Sequence, residues 1–375
     1  MQIIPVASGK GGVGKSLLSA NLGIALGKAG KKVVLVDLDL GASNLHLVIG
    51  SHSPKAGIGT YINGTTKNFN DLITPTDYEN VYFIAGDAEL PGLTSLKIAQ
   101  KNDLIKKLQK VDADYLILDL GAGTHLAILD FFLLSPQGIV VTAPTVTATL
   151  NGYLFLKNVV FRLMYNSFKK NSKAFDFLEN LKKDANSLQK LYIPKLVETL
   201  EQIDPQSIAV FKHRMAQFKP RLILNMVDDP RDAEKAQKIR RSCDQYLGVE
   251  LEHLGIIYRD SMQDIALASR LPIIVYKPQA MISQAISRIA DKVIHSEALS
   301  FDDDYDSFQY AEAEANEDYA SKMSYVEDLV GTGALSMNDL GETIKSQQYE
   351  ITQLRKENTL LKSKILKAVQ QGFKI

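Results

Sequence analysis

Gly9-Lys10-Gly11-Gly12-Val13-Gly14-Lys15-Ser16 lies between the apolar run Ile3-Ile4-Pro5-Val6-Ala7 and a helical pattern of Leu17, Leu18, Leu22, Ile24, Ala25 and Leu26. Strand, loop and helix in that order are the context that the spacing G-x-x-x-x-G-K-S needs in order to hold phosphate. The glycines let the backbone wrap an anion and turn successive N–H groups inward, and the helix starting near Lys15 aims its positive end at the same place. Gly9 to Leu17 therefore form the expected phosphate site, with Lys15 reaching the β- and γ-phosphates and the Ser16 hydroxyl ligating Mg²⁺. A glycine-rich turn that matches by chance is the plain alternative, and the flanking elements weigh against it.

Two further apolar runs end in carboxylates. Lys32 to Val36 reads as a buried parallel strand and leads into Asp37-Leu38-Asp39-Leu40-Gly41-Ala42-Ser43-Asn44-Leu45. Carboxylates at i and i+2 on a strand end face the same side, toward the crevice where ligands sit in such sheets. Tyr115 to Leu118 leads into Asp119-Leu120-Gly121-Ala122-Gly123, the Walker B arrangement. There Asp119 is expected to hold Mg²⁺ through a water, and Gly121 and Gly123 leave the following loop free to respond to the γ-phosphate.

Lys10, a second lysine inside the loop, narrows the reading. The pattern K-G-G-V-G-K-S resembles the deviant Walker A signature of the MinD/ParA family of ATPases. Asp37 to Asn44 resembles the D-x-D-x-G-x-x-N switch of its MinD and FlhG (FleN) branch, whereas the D-x-D-P-Q-G form usual in ParA proteins is missing. The resemblance implies a SIMIBI-type P-loop NTPase that binds ATP and Mg²⁺, forms a homodimer with ATP, and hydrolyses it. Lys10 would then cross the dimer interface to the partner's ATP, and Asp39 would position the attacking water, so that Lys10, Lys15 and Asp39 form the catalytic set. Asp37 would support the Mg²⁺ region beside Ser16 and Asp119, and Asn44 would hold the switch near the γ-phosphate. Arg221-Leu222-Ile223-Leu224-Asn225 resembles the family strand whose asparagine reads the adenine edge, although Asn225 could instead cap a strand end. Gly255-Ile256-Ile257-Tyr258-Arg259-Asp260 resembles the stretch usually written I-P-x-D that frames the base or ribose, with Tyr258 in place of the proline and Asp260 retained.

Composition fits a cytoplasmic enzyme. A single cysteine, Cys243, excludes both a disulfide framework and a paired-cysteine cluster site, and with it the iron–sulfur relatives of the loop. The first strand begins at once, no apolar run approaches the length of a membrane span, and 43 basic residues balance 43 acidic ones, which argues against bulk nucleic-acid binding.

Strands and helices alternate from residue 1 to about 295. Further strands are expected at Val81 to Ala85, Gly138 to Ala143 and His253 to Tyr258, and helices at Ile98 to Leu108, Leu150 to Met164, Asp232 to Tyr246 and Met281 to Ile294. The alternation predicts one α/β domain, residues 1–295, with a doubly wound, mostly parallel sheet. Residues 165–220 carry helical spacing and are expected to form a helical insertion, serving as scaffold or as a surface for a protein partner.

Residues 296–340 are acidic, with Asp302-Asp303-Asp304, Glu312, Glu314, Glu317 and Asp318, and read as a linker. In 341–375, Ile344, Ile351, Asn358 and Ile365 recur every seven residues, with Gln347, Leu354, Leu361 and Ala368 complementary to them. Glu350 facing Arg355 and Glu357 facing Lys362 complete the pattern of a parallel coiled coil. The same segment reads alternatively as an amphipathic helix making peripheral contact with the inner membrane or pole, since Lys362, Lys364, Lys367 and Lys374 flank Leu361, Ile365, Val369 and Phe373. Four linker tyrosines, Tyr305, Tyr310, Tyr319 and Tyr325, raise one rival, an autophosphorylating enzyme like the bacterial tyrosine kinases. A nucleotide-gated adaptor without turnover is the other.

Overall fold

The computed structural model describes residues 1–40, 43–51, 56–86, 96–182, 192–296 and 307–331. Eight strands build one sheet: β1 (Gln2–Ala7), β2 (Val33–Leu38), β3 (Thr74–Pro75), β4 (Val81–Ile84), β5 (Tyr115–Leu120), β6 (Ile139–Thr142), β7 (Arg221–Val227) and β8 (Glu252–Tyr258). Their order is β3-β4-β2-β5-β1-β6-β7-β8, with every pair parallel except β3 against β4. The apolar runs explain this choice. Val33 to Leu38 and Tyr115 to Leu120 are buried along their whole length, as strands covered by helices on both faces must be.

The helices that matter below are α1 (Lys15–Lys28), α2 (Ile98–Leu108), α3 (Leu126–Phe132), α4 (Val146–Ser167), α5 (Lys173–Lys182), α6 (Ile193–Ile203), α7 (Pro205–Gln217), α8 (Glu234–Leu247), α9 (Met281–His295) and α10 (Ser307–Gly331). Helix α1 buries residues almost all the way round, Leu18, Leu22, Ile24 and Leu26 among them, so the element that follows the loop is itself part of the core. The expected strands and helices are all present, with α4 extended by a turn at its start because the Thr145 hydroxyl caps it by accepting from the Ala148 N–H. The two-residue edge strand β3 was not legible, being too short for a periodic signal.

Within 165–220 the described residues are helical, from the end of α4 through α5, α6 and α7. Asp204 ends one helix and caps the next, its carboxylate accepting from the Ser207 N–H and hydroxyl. Residues 183–191 lie outside the described residues.

The acidic stretch read as a linker differs from that expectation over Ser307–Gly331, which is helix α10. Composition alone hid its apolar face: Phe308, Ala311 and Ala315 are buried, Phe308 packs edge-on against His253, and Lys292 of α9 pairs with Glu314 at 2.7 Å. The chain divides into two compact units, Met1–Asn316 and Glu317–Ile375, so the first passes the expected boundary at 295. The heptads of 341–375, with the coil or membrane helix read from them, lie outside the described residues.

Candidate nucleotide site

The loop between β1 and α1 is held in a conformation that glycine permits. Gly12 and Gly14 have φ of +80° and +84°, the left-handed region, and Gly14 forms the N-cap of α1. Gly9 is needed for a different reason, since a Cβ there would lie 2.0 Å from the Asn151 carbonyl oxygen of α4. A Cβ at Gly12 would meet nothing within 4 Å, so backbone conformation rather than space selects glycine there. Gly11 and Lys10 are exposed, while Val13 and Lys15 are buried.

Lys15 turns inward. Its ammonium lies 2.6 Å from Asp119 Oδ1, with both side chains buried, and 3.3 Å from the Ser16 hydroxyl. The same carboxylate oxygen accepts from the Ser19 hydroxyl at 3.0 Å, and Ser19 also donates to the Lys15 carbonyl. Asp119 Oδ2 is buried without a hydrogen-bond partner. Parallel register sets Asp37 of β2 directly beside Asp119 of β5, so two carboxylates approach from neighbouring strands.

Asp37 is fully buried and holds the start of the switch. Its oxygens accept from the Ser43 hydroxyl at 2.6 Å, the Leu45 N–H at 3.1 Å and the Asp39 N–H at 3.0 Å. Burial pushes its pKa up to about 6, the Asp119 charge adds to that, and the hydrogen bonds from Ser43, Leu45 and Asp39 oppose it. An orphaned carboxylate oxygen, a second carboxylate in register and a hydroxyl on the adjoining helix turn are the hard oxygen donors that suit Mg²⁺. Asp39 is half-buried and lies near the backbone of Gly121, where a Cβ would come 3.3 Å from its Oδ1. Gly123 has φ of +100°, and its N–H donates to the Ser8 carbonyl, tying this loop to the end of β1. Asn44 is exposed at the start of a short helical turn, Leu45–Val48.

Lys10 turns outward. Its ammonium donates to the Thr147 hydroxyl at 3.0 Å, on the first turn of α4. That face of α4 is apolar and in water: Val146, Leu150 and Leu154, spaced by four, are 79%, 55% and 37% exposed, and Leu126 of α3 is 58% exposed. Single exposed apolar residues are ordinary, whereas Val146, Leu150 and Leu154 form a row beside the charged loop.

At the far end of the sheet, Asn225 is buried, its side-chain amide donating to the Val13 carbonyl at 2.9 Å. Asn225 thus braces the phosphate loop from behind, and Gly14 is glycine partly because a Cβ would lie 2.3 Å from that amide nitrogen. Tyr258 is buried at the end of β8, and Asp260 accepts from the Met262 N–H in the turn after it. The fold therefore gathers Gly9 to Leu17, Asp37, Asp39 and Asp119 at the ends of β1, β2 and β5. Sequence reasoning missed Ser19, Thr147 and Asn151. Ser19 was within reach of it, being four residues after Lys15 on the same helix face; Thr147 and Asn151 meet the loop only through the tertiary fold.

The CobQ/CobB/MinD/ParA nucleotide-binding domain matches residues 4–273. The septum site-determining protein MinD of Bacillus subtilis is 32% identical over 148 residues, 39% of this chain and 55% of that protein. The antiactivator FleN of Pseudomonas aeruginosa is 23% identical over 296 residues, 78% of this chain and 86% of that one. This chain spans about half the length of the MinD relatives it matches. Among solved structures, MinD of Pyrococcus horikoshii complexed with Mg-ADP has the same fold, with a TM-score of 0.55 and 24% identity over 80% of this chain and 99% of that one.

Proposed function

Because the chain belongs to the CobQ/CobB/MinD/ParA nucleotide-binding family, we propose that it is a MinD- and FleN-like ATPase that dimerises with ATP and positions a cellular structure. The observation that carries the reading is the opposite orientation of two lysines on one loop: Lys15 toward buried carboxylates, Lys10 toward an exposed apolar face.

The inward group binds and orients. Backbone N–H groups of Gly11 to Ser16 cradle the β- and γ-phosphates of ATP, and Lys15 leaves Asp119 to take up their charge. Ser16 and Asp119, with Asp37 behind them, would hold Mg²⁺, which neutralises charge on the phosphate oxygens. Asp39 accepts a hydrogen bond from the attacking water and directs it at the γ-phosphorus. The bond to the bridging oxygen breaks, and the products are ADP and phosphate. Gly121 and Gly123 give the adjoining loop the freedom to follow that change.

The outward group couples nucleotide to assembly. Lys10 releases Thr147 and reaches the γ-phosphate held by a second copy, while Val146, Leu150 and Leu126 are covered by the same approach. Hydrolysis removes the contact that Lys10 makes and the two copies separate. The chain works in the cytoplasm with transient contact at the inner membrane or a pole; among the described residues no helix is long and apolar enough to cross a membrane. A partner protein reads the dimer through the helical insertion or residues 341–375.

Sedimentation of the Asp39→Ala protein tests this. A dimer in ATP and a monomer in ADP are expected; a protein that binds ATP and stays monomeric overturns the switch. Labelled γ-phosphate appears as free phosphate with the wild type, whereas label retained on the tail tyrosines would mean the kinase chemistry instead.

A further inference from the structure

On the flank of the domain, away from the loop, α2, α3, α4 and α7 line an open cavity of about 540 Å³. Its charges do not balance. Lys101, Arg162 and Arg214 line it, and Asp130 is the one carboxylate among the described lining residues. Arg162 grips Asp130 with two hydrogen bonds, Nε to Oδ1 at 2.7 Å and Nη2 to Oδ2 at 2.9 Å, and Lys101 pairs with the same carboxylate. Burial would raise the Asp130 pKa, but the hydrogen bonds from Arg162 and Lys101 outweigh it and hold the group below the usual carboxylate range. Asp130 therefore stays ionised and still leaves an excess of two positive charges on the wall.

Arg214 carries the uncommitted part of that excess. One of its nitrogens donates to the Asn166 carbonyl at 3.1 Å, which accounts for one of the five guanidinium N–H donors. A guanidinium fork fits phosphate oxygens in the plane, and Arg162 and Lys101 behind it add field without needing to move. The rest of the wall is of another kind. Ile105 and Leu133, both half-buried, supply apolar surface over the buried Leu163 and Phe218, and Asn102 and Gln217 supply side-chain amides able to donate and accept. A concave site of a few hundred cubic ångströms with an apolar wall and a few converging polar groups is the ordinary form of a small-molecule site.

We propose that this cavity binds a nucleoside phosphate, its phosphate on Arg214 and its base against Ile105 and Leu133. Bare phosphate would satisfy the cations and leave the apolar wall unused; an apolar ligand would leave the charge excess uncompensated. The site is separate from the loop of Gly9 to Ser16 and shares none of its residues.

Calorimetric titration of AMP into the full chain, with the loop kept filled by saturating Mg²⁺ and ADP, tests the proposal. One additional saturable site per chain is expected. Arg214→Glu should weaken AMP by at least about tenfold, and Arg214→Lys by a smaller factor, because a lysine keeps the charge but meets phosphate as a point and loses the fork. Arg214 is exposed and outside the Asp130 pairs, so neither change threatens the fold. Absence of saturable binding up to about 10 mM, the weak end of specific affinity, overturns the site. So does AMP binding that Arg214→Glu leaves unchanged, and pyrophosphate binding as tightly as AMP overturns the nucleoside assignment.

Discussion

Lys10 and Lys15 leave opposite sides of one loop. On the inner side the groups are buried and held by the sheet and its loops: Lys15 on Asp119, Ser19 on the same oxygen, Asp37 on the N–H groups that begin the switch, with Asp119 Oδ2 left over. On the outer side the environment is water, the single hydrogen bond to Thr147 is exposed, and the neighbours are bare aliphatic side chains. The inner wall is therefore part of the folding energy of the chain and the outer wall is not, so changes on the two sides should separate stability from assembly.

The largest separation is expected between the two lysines themselves. Lys15→Met leaves a buried carboxylate unpaired next to Asp37 and should cost about 3–5 kcal/mol in urea unfolding while abolishing turnover. Lys10→Met should stay within about 0.5 kcal/mol of the wild type in the same unfolding assay, as exposed changes do, and still lose ATP-dependent dimerisation. Equal stability losses in the two variants would break the comparison.

A smaller effect follows from pH. The Asp37 pKa is raised in the folded state, from 3.8 to about 6, so the native protein takes up this proton before the unfolded chain does as pH falls. The contribution to stability is present at low pH and lost as pH rises through about 6, amounting to at most about 3 kcal/mol. In urea midpoints measured without nucleotide, wild type should gain more than Asp37→Asn between pH 7 and pH 5. Parallel pH profiles for the two proteins would show that Asp37 is not held in this way.

Gly9→Ala probes the joint between the walls. The added methyl meets backbone of α4, which cannot swing aside like a side chain, and a cost of about 2 kcal/mol is expected from thermal unfolding. Leu150→Glu sits at the small end. Its melting temperature should stay close to wild type, because Leu150 is mostly exposed in the single chain, while sedimentation in ATP should lose the dimer; a dimer that persists would remove α4 from the interface.

The two sides also differed in how far the sequence disclosed them. Apolar runs of four residues, Val33 to Val36 and Tyr115 to Leu118, each followed by Asp37 or Asp119, announced parallel strands and the carboxylates at their ends, since local periodicity and strand direction carry that information. What the runs could not state was that β2 and β5 are neighbours in register, which sets Asp37 beside Asp119 and makes Lys15 bridge inward. Thr147 and Asn151 escaped notice for the same cause: their relation to the loop is a distance across the fold, not a spacing along the chain. Asn225 was legible as a candidate for the adenine edge or a strand-end cap, whereas its contact with the Val13 carbonyl depends on how β7 ends behind the loop. Helix α10 escaped because abundant acidic side chains obscured Phe308, Ala311 and Ala315, whose cover comes from elements far earlier in the chain.

The Lys15–Asp119 bridge has one more consequence. It is an internal copy of the charge pattern of a magnesium nucleotide, with the ammonium taking the place of the cation and the carboxylate that of a phosphate oxygen. Metal-free nucleotide would have to pull Lys15 from a carboxylate with nothing to replace it, and free Mg²⁺ would meet a carboxylate already neutralised. Only the two together satisfy both halves, so each should tighten the other's binding by the same factor, as linkage requires. If the loop takes ATP and Mg²⁺ as proposed, the bridge would make it a coincidence detector for the metal–nucleotide complex, discriminating against either component alone before any chemistry begins.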